Sequence, residues 1–284
     1  MDVRLNSATF LAANCSYQES STVIIGCPLD ITTTFRPGTR FAPGTVREVS
    51  WGLETYSLLQ DRDLEDLKIC DVGDLELPFG NTEGALETIQ RYVAAVAADK
   101  KFPVLIGGEH LLTLGVVKEL SRQYVDVVVV QIDAHADLRE TYLGEHLSHA
   151  TVMRRIADVV GEGSICQLGV RSATRDEIRY AKQIGSLCEV EEVVNRVEGR
   201  PVYVTVDLDV LDPAVAPGVS TPEPGGLTFD ELISMLTRLQ GLGVIGCDVV
   251  ELSPTYDPTQ QSAIAAAKVI RELILQFGRK KGIE

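Results

Sequence analysis

The chain has 284 residues, and 26 Lys and Arg residues against 41 Asp and Glu residues give it a formal net charge of −15. Apolar residues make up 45% and charged residues 24% of the chain, which is typical of a globular protein and excludes a disordered or fibrous one. The negative charge disfavours nucleic acid or an anionic membrane surface as a partner, and it suits a metal ion or a small cation.

The sequence contains no candidate for a membrane span or a secretory signal. Its apolar runs are all shorter than the roughly 20 residues that cross a bilayer, and the first residues carry no sustained apolar stretch. The six cysteines are scattered, and we interpret them as small buried residues of a reducing compartment. We therefore expect a cytoplasmic protein that does not bind membranes.

Seven short apolar runs, rich in β-branched residues, predict strands at residues 22–26, 67–72, 103–106, 125–132, 164–170, 201–206 and 243–250. Segments with helical periodicity lie between these runs. One predicted helix contains an apolar stripe made of Leu86, Ile89, Val93 and Val96. Another begins at a capping box formed by Thr228 and Glu231, and the last covers residues 261–276.

The strand pattern predicts the fold class. Strands that are apolar without alternation favour a parallel sheet covered by helices on both faces, since neither face then meets water. Strand–helix alternation along the full length favours right-handed crossovers and one sheet of about seven or eight strands. No linker, repeat or low-complexity stretch divides the chain. We therefore predict a single doubly wound α/β domain over residues 1–284.

Four of the predicted strands lead directly into polar side chains. Ligands of open α/β sheets bind beyond the carboxyl ends of the strands, so these side chains are candidates for one site. Residues i and i+2 of an extended chain point the same way, which lets the clusters that begin at Asp133 and Asp207 converge. The candidates are His110, Asp133, His135, Asp137, Asp207, Asp209 and Glu251.

The residue types of this cluster favour metal ions. Carboxylates that follow buried strands must be paired or bound to a metal, because an unpaired buried charge is costly. Alternatively, the Asp residues could cap helices and the His residues could be ordinary core residues. The presence of two D-x-D-type elements together with His110 disfavours this alternative. Asp and His without thiolate favour a hard-to-borderline divalent ion such as Mn²⁺ over structural zinc. Such a large ligand set suits two ions that share bridging carboxylates, about 3.5–4 Å apart.

Motifs spread over nearly the whole chain resemble those of the arginase/agmatinase (ureohydrolase) family. They are Arg36-Pro-Gly-Thr-Arg-Phe-Ala-Pro43, Gly107-Gly-Glu-His110, Asp133-Ala-His-Ala-Asp137, Asp207-Leu-Asp-Val-Leu-Asp-Pro213, Ser220-Thr-Pro-Glu-Pro-Gly-Gly-Leu227 and Asp248-Val-Val-Glu-Leu-Ser-Pro254. The resemblance implies a three-layer α/β/α fold with a mainly parallel eight-stranded sheet. It also implies hydrolysis of a guanidino compound to urea and an amine by a homo-oligomer, either a trimer or a hexamer.

The resemblance implies two Mn²⁺ ions per subunit, with Asp133 and Asp207 as bridging ligands. Carried over position by position, the ligands of one ion would be His110, Asp133, Asp137 and Asp207. The ligands of the other ion would be Asp133, His135, Asp207 and Asp209.

The resemblance also implies three catalytic roles. A metal-bridging hydroxide would attack the guanidinium carbon, and Asp137 would accept a hydrogen bond from that hydroxide. Glu251 would bind the substrate by pairing with its guanidinium group. His149 would contact the substrate and donate a proton to the leaving amine.

The segment that follows the Asp133–Asp137 motif favours agmatine, which would be cleaved to putrescine and urea in polyamine biosynthesis. The segment lacks the Asn that arginases use for the amino-acid head, and Glu140 and Glu145 suit a cationic tail. Arg139 could instead pair with a carboxylate. 4-Guanidinobutyrate, aminopropyl-agmatine and arginine therefore stay open as substrates.

Several nearby residues receive other interpretations. Glu109 is predicted to be a structural carboxylate, His146 an exposed loop residue and Asp212 a turn residue. Val219-Ser220 stands where the family usually has Thr-Gly, which leaves the shape of this loop open.

Two other classes of protein are disfavoured. A binuclear phosphoesterase would carry G-D and G-N-H elements, with its metal ligands in an order that this sequence does not have. A catalytically inactive regulator would usually have lost a metal ligand, and none of the predicted ligands is missing.

Overall fold

Strands and helices alternate along residues 9–279, the part of the chain that the computed structural model describes. The strands are β1 (Thr22–Cys27), β2 (Tyr56–Ser57), β3 (Arg62–Asp63), β4 (Ile69–Asp74), β5 (Phe102–Gly107), β6 (Val128–Ile132), β7 (Ile165–Leu168), β8 (Val202–Asp207) and β9 (Val244–Val250). The α-helices are α1 (Ala42–Ser50), α2 (Thr82–Ala98), α3 (Leu112–Gln123), α4 (Val152–Val160), α5 (Arg175–Ile184), α6 (Val190–Val197), α7 (Phe229–Arg238) and α8 (Gln261–Phe277).

The central sheet is parallel throughout and has the strand order β4–β1–β5–β9–β8–β6–β7. Its strands correspond to the seven apolar runs, so all seven predicted strands are confirmed. β2 and β3 form a separate antiparallel pair that the sequence patterns did not predict.

The sheet has seven strands among the described residues, one fewer than the resemblance implied. β7 is an edge strand, and the chain beside it pairs through an isolated bridge between Gln167 and Leu187. A single bridge does not extend into a strand, so the expected count of eight is corrected to seven for residues 9–279.

Helices cover both faces of the sheet, because the strands are apolar on both sides. Along β5, Val104 and Ile106 pack in one core cluster with residues of α1, α6, α7 and α8. Leu105 points to the opposite face and packs with residues of α2, α3, α4 and α5. The three-layer α/β/α fold is therefore confirmed.

Capping residues set the starts of two helices. At α7, the Glu231 N–H donates to the Thr228 hydroxyl (3.3 Å) and the Thr228 N–H donates to the Glu231 carboxylate (2.8 Å), as predicted. Thr174 and Glu177 form the same capping box at α5. The second box places Glu177 near the site described below.

None of the helices within residues 9–279 is long and apolar enough to cross a bilayer. Residues 1–8 and 280–284, the two ends of the predicted domain, lie outside the described residues. The N-terminal segment on which the expected cytoplasmic location depends lies there as well.

The sheet order brings the candidate residues together. β5, β9, β8 and β6 are consecutive neighbours in the sheet, and their carboxyl ends lie at one edge because the strands are parallel. His110 follows β5, Asp133 follows β6, Asp207 ends β8 and Glu251 follows β9. Four segments that are distant in sequence thus meet at one place.

Candidate metal and active site

Three buried side chains at the ends of β5, β6 and β8 form a first donor group. Nδ1 of His110 lies 3.1 Å from Oδ2 of Asp133 and 3.3 Å from Oδ2 of Asp207. The donor atoms of this group all lie within 4.8 Å of one another. This spacing would allow the group to hold one metal ion.

A second donor group adjoins the first and shares Asp133 with it. Nδ1 of His135 lies 2.8 Å from Oδ2 of Asp209 and 3.7 Å from Oδ1 of Asp133. Asp133 and His135, at the predicted i, i+2 spacing, meet in this group, whereas Asp209 reaches it from a short 3-10 helix, Leu208–Val210, that the extended-chain expectation did not include. Asp207 belongs to the first group, and its role as a second bridge stays a prediction.

Asp137 lies beside the first donor group, with its Oδ2 3.2 Å from Nδ1 of His110. Its backbone has a φ of 52°, which residues other than glycine rarely adopt. The Asp137 carbonyl accepts hydrogen bonds from the N–H groups of Met153 (3.0 Å) and Arg154 (3.2 Å), which hold this conformation. Its coordination of a metal stays a prediction.

The chemistry of the two donor groups fits a divalent cation. Among the described residues, Nδ1 of His110 is buried without a hydrogen-bond partner, although three carboxylate oxygens surround it. Burial and the neighbouring Asp209 and Asp137 charges raise the pKa of Asp133 to about 7. A cation among these carboxylates would relieve their repulsion. Nitrogen and oxygen donors without sulfur suit a hard-to-borderline ion.

Buried polar residues behind the donor groups orient them. Nε2 of His110 lies 3.0 Å from the Thr205 hydroxyl, which turns Nδ1 toward the carboxylates. Nε2 of Gln131 donates to Oδ2 of Asp133 (2.6 Å), and Nε2 of Gln167 donates to Oε1 of Gln131 (2.6 Å). No sequence pattern predicted these residues. A glutamine in an apolar strand, two positions before Asp133, is the signal that could have revealed the first.

Glu251 is buried after the end of β9, in the wall of the pocket next to the donor groups. Its Oε1 accepts a 2.6 Å hydrogen bond from the backbone N–H of His110, and its Oε2 accepts one from the Ser220 hydroxyl. Burial raises the pKa of Glu251 to about 8. The departure at Val219-Ser220 therefore supplies a hydrogen bond that holds this carboxylate.

His149 lines the same pocket, in the turn that precedes α4. Its ring meets the Tyr142 ring edge-on, with the ring centroids 5.6 Å apart. Burial lowers the pKa of His149, because it disfavours the charged imidazolium. A lowered pKa makes the protonated ring a better proton donor.

Comparison with known proteins identifies the family. The family model described as "Arginase family" matches residues 20–276. The chain belongs to the arginase family. The resemblance inferred from the motifs is thereby confirmed.

Individual arginase-family proteins match almost the full length of the chain. An agmatinase of Bacillus anthracis is 43% identical over 283 residues, which cover 96% of this chain and 98% of that protein. The guanidinobutyrase of Pseudomonas aeruginosa is 32% identical and covers 88% of this chain and 84% of that protein. The crystal structure of the agmatine ureohydrolase of Thermoplasma volcanium has 33% identity and a TM-score of 0.87, covering 96% of this chain and 95% of that chain. The chain is therefore a hydrolase of this family.

The arginase-family pocket has a volume of about 280 Å³, and we call the part of its wall formed by Arg139, Tyr142 and Glu177, none of which belongs to the donor groups, its outer part. The guanidinium of Arg139 lies over the Tyr142 ring, 4.5 Å from its centroid. Nε of Arg139 lies 3.6 Å from Oε2 of Glu177. The single cation in this outer part is therefore already paired with a carboxylate.

The acidic residue of the outer pocket is Glu177, not the two that the sequence analysis favoured. Glu140 lies on the surface, where it pairs with Arg154 (3.1 Å) and Arg155 (3.2 Å). Glu145 is exposed in a tight turn outside the pocket lining. Neither residue lines the pocket itself, because Glu140 pairs with two surface arginines and Glu145 lines a neighbouring cavity that shares Thr34 and Tyr142 with the pocket. The capping-box pattern at α5 was the available signal for Glu177.

The other interpretations of nearby residues are confirmed. His146 is exposed in its loop. Asp212 accepts hydrogen bonds from the N–H groups of Ala214 (2.9 Å), Gly225 (2.8 Å) and Gly226 (3.1 Å), so it stabilises a turn. Glu109 is fully buried and bonds to a loop, away from the donor groups.

Proposed function

We propose that this chain hydrolyses agmatine to putrescine and urea with two bound Mn²⁺ ions. The observation that carries the proposal is the pair of donor groups that share Asp133 and adjoin a pocket lined by His149 and Glu251. The agmatinase relative at 43% identity supports the choice of substrate.

The proposed metal ligands follow the two donor groups. One ion would be held by His110, Asp133, Asp137 and Asp207, and the other by Asp133, His135, Asp207 and Asp209. The bound ions would supply hydroxide near neutral pH by lowering the pKa of water.

The residues around the metal site would position the substrate and move one proton. Glu251 would accept charge-assisted hydrogen bonds from the guanidinium group and hold its carbon in place. Asp137 would accept a hydrogen bond from the attacking hydroxide and orient it. His149 would protonate the leaving amine, since an alkylamine leaves poorly until it carries a proton.

The residues of the outer pocket support agmatine as the substrate and also suggest a second candidate substrate. Because Glu177 already pairs with Arg139, the outer pocket has no free cation that would repel an ammonium tail. Arg139 nevertheless lines the pocket, and a guanidinobutyrase is among the relatives. 4-Guanidinobutyrate, whose carboxylate could pair with Arg139, is therefore the second candidate.

Urea release by Mn²⁺-loaded protein tests the proposal with agmatine, 4-guanidinobutyrate and arginine as substrates and the chelated protein as control. We expect metal-dependent turnover with kcat/KM for agmatine at least about tenfold above the other two. Preference for 4-guanidinobutyrate would change the substrate and retain the metal chemistry. If two Mn²⁺ ions bind and no substrate yields urea, the proposal is wrong.

We also propose a cytoplasmic homo-oligomer, either a trimer or a hexamer. An exposed groove that includes Leu58, Leu59 and Phe229 supports association, because large apolar patches on monomers are unusual. Light scattering gives the mass in solution, and a mass equal to the 30.9 kDa of one chain would contradict the oligomer. The location and the single domain over residues 1–284 stay predictions.

A further inference from the structure

Glu109 is a buried carboxylate that the proposed reaction does not use. It precedes the donor-group residue His110, yet its side chain bonds to the loop after β1. Its Oε2 accepts hydrogen bonds from the backbone N–H groups of Ile31 (2.9 Å), Thr32 (2.7 Å) and Thr33 (3.1 Å), and from the Thr33 hydroxyl (3.3 Å). Four donors thus converge on this oxygen, which acts only as an acceptor.

The other oxygen of Glu109 connects this loop to His149. Oε1 of Glu109 lies 2.9 Å from the Thr32 hydroxyl. The same hydroxyl accepts a hydrogen bond from the backbone N–H of His149 (3.0 Å) and lies 3.2 Å from Nδ1 of its ring. Thr32 therefore holds both the backbone and the ring of His149, although it is 117 residues away in sequence.

The number of protons on the Thr32 hydroxyl limits the tautomer of His149. A hydroxyl has one proton to donate and two lone pairs that accept. The Thr32 hydroxyl donates its proton to Oε1 of Glu109 (2.9 Å), and one of its lone pairs accepts from the backbone N–H of His149 (3.0 Å). The second lone pair then faces Nδ1, which must carry a proton to form a hydrogen bond.

We propose that Thr32 and Glu109 are positioning residues that keep the proton of neutral His149 on Nδ1 and reserve Nε2 for proton transfer to the leaving amine. This inference deepens the proposed function and rests on the role of His149 in it. In the imidazolium form both ring nitrogens carry a proton. After Nε2 gives up its proton, the Nδ1–H···Oγ1 bond to Thr32 remains, so the ring does not rotate during the reaction.

Three single variants test this proposal in the Mn²⁺-loaded enzyme. Thr32→Val removes the hydroxyl with little change in shape, Thr32→Ser retains it, and Thr33→Val removes a neighbouring hydroxyl that bonds to Glu109 but is not bonded to His149. We expect Thr32→Val to lower kcat for agmatine about tenfold or more, with KM changed less than about threefold, because general acid catalysis contributes about 10²–10⁴-fold. Thr32→Ser should recover most of kcat, and Thr33→Val should resemble wild type.

Bound Mn²⁺ in each variant shows whether the metal site is intact. A Thr32→Val enzyme with full metal content and the same kcat as Thr33→Val would overturn the proposal. So would a Thr32→Ser enzyme as slow as Thr32→Val, because the retained hydroxyl would then not preserve the function.

The tautomer of His149 can be measured without any activity. The chain has four histidines, so long-range ¹H–¹⁵N spectra of the full-length, chelated protein at alkaline pH contain few ring signals, and His149→Asn assigns the one of interest. We expect a protonated Nδ1 and an unprotonated Nε2 in wild type and Thr33→Val, and loss of this preference in Thr32→Val. An Nε2–H tautomer in wild type would overturn the proposal. The expected spectra from a protein that releases no urea would support the positioning and refute the proposed function.

Discussion

The inner and outer parts of the pocket are built differently. The inner donor groups centred on Asp133 and Asp207 are buried at the ends of adjacent parallel strands. The outer residues Arg139 and Tyr142 are partly exposed and come from loops, and Arg139 is compensated by Glu177. The sheet therefore fixes the position of the donor groups, whereas loops that can change without disturbing the sheet form the part of the wall that, in the proposed function, would meet the tail of the substrate.

The two parts of the pocket also differ in the free energy that is lost when one charged side chain is removed. Removing one partner from a buried group of charges costs about 3–5 kcal/mol, because the remaining charges stay buried without compensation. The Arg139–Glu177 pair joins a partly exposed guanidinium to a buried carboxylate, with its atoms 3.6 Å apart, and we expect it to contribute about 0–1 kcal/mol because Glu177 keeps its backbone hydrogen bonds without it. Substitutions in the inner part should therefore abolish activity, whereas those in the outer part should change the choice of substrate.

Asp207→Ala should have the largest effect. It removes a carboxylate from the first donor group, and we expect loss of bound Mn²⁺ together with a fall in kcat/KM of at least about 1,000-fold. Metal analysis by mass spectrometry and urea release are the measurements. Asp212→Ala is the matched control, because Asp212 lies in the same motif but stabilises a turn. Full metal content and activity in Asp207→Ala would remove Asp207 from the metal site.

His149→Asn should lower kcat about 100-fold or more without loss of Mn²⁺, because it removes the proposed proton donor and none of the proposed metal ligands. The exposed His146, in the same loop, provides the control His146→Asn. Steady-state kinetics with agmatine give kcat for both variants. Equal kcat values for His149→Asn and the wild type would assign the proton to another group.

Glu251→Gln should lower kcat/KM about 100-fold while both Mn²⁺ ions remain bound, because the amide keeps the shape of the side chain and loses the charge that pairs with guanidinium. Ser220→Ala, which removes one hydrogen bond to Glu251, should cost less than about tenfold. Loss of metal in Glu251→Gln would contradict its role as a substrate ligand. Glu145→Gln, an exposed site, serves as control.

The ligands of the donor groups could be predicted from the sequence because local rules place them. An apolar strand ends, and alternate residues of the extended chain after it point to one side, so Asp133 and His135 converge wherever the strand lies. The parallel sheet then brings β6 and β8 side by side. The spacing and the strand ends are visible in the sequence, whereas the adjacency of β6 and β8 is known only from the structure.

The residues that orient the ligands could not be predicted in this way. Thr32 reaches Glu109 across 77 sequence positions, and Thr205 reaches His110 across 95. A threonine in a loop or strand has no pattern of its own, since hydroxyl residues are common in both. The number of strands could not be predicted either, because tertiary contacts decide whether the chain beside β7 pairs as a strand. Glu177 was missed because the capping-box pattern it forms with Thr174 predicts the start of a helix and not its position beside a pocket.

Arg139→Gln should have the smallest effect and is the sharpest test of the difference between the two parts of the pocket. It removes the cation beside Glu177, whose carboxylate still accepts hydrogen bonds from the backbone N–H groups of Thr174 (2.8 Å) and Leu138 (3.1 Å) and keeps its negative charge in the pocket wall, where it would attract an ammonium tail. We expect the ratio of kcat/KM for agmatine to that for 4-guanidinobutyrate to rise, by up to about tenfold, with Mn²⁺ content unchanged. Arg179→Gln is the matched control, because Arg179 forms an exposed pair with Asp176 on the surface of α5. A ratio that falls would mean that Arg139 favours agmatine by orienting Glu177. A loss of metal or a large fall in kcat for both substrates would show instead that the outer loops support the donor groups, and the separation of chemistry from specificity would not hold.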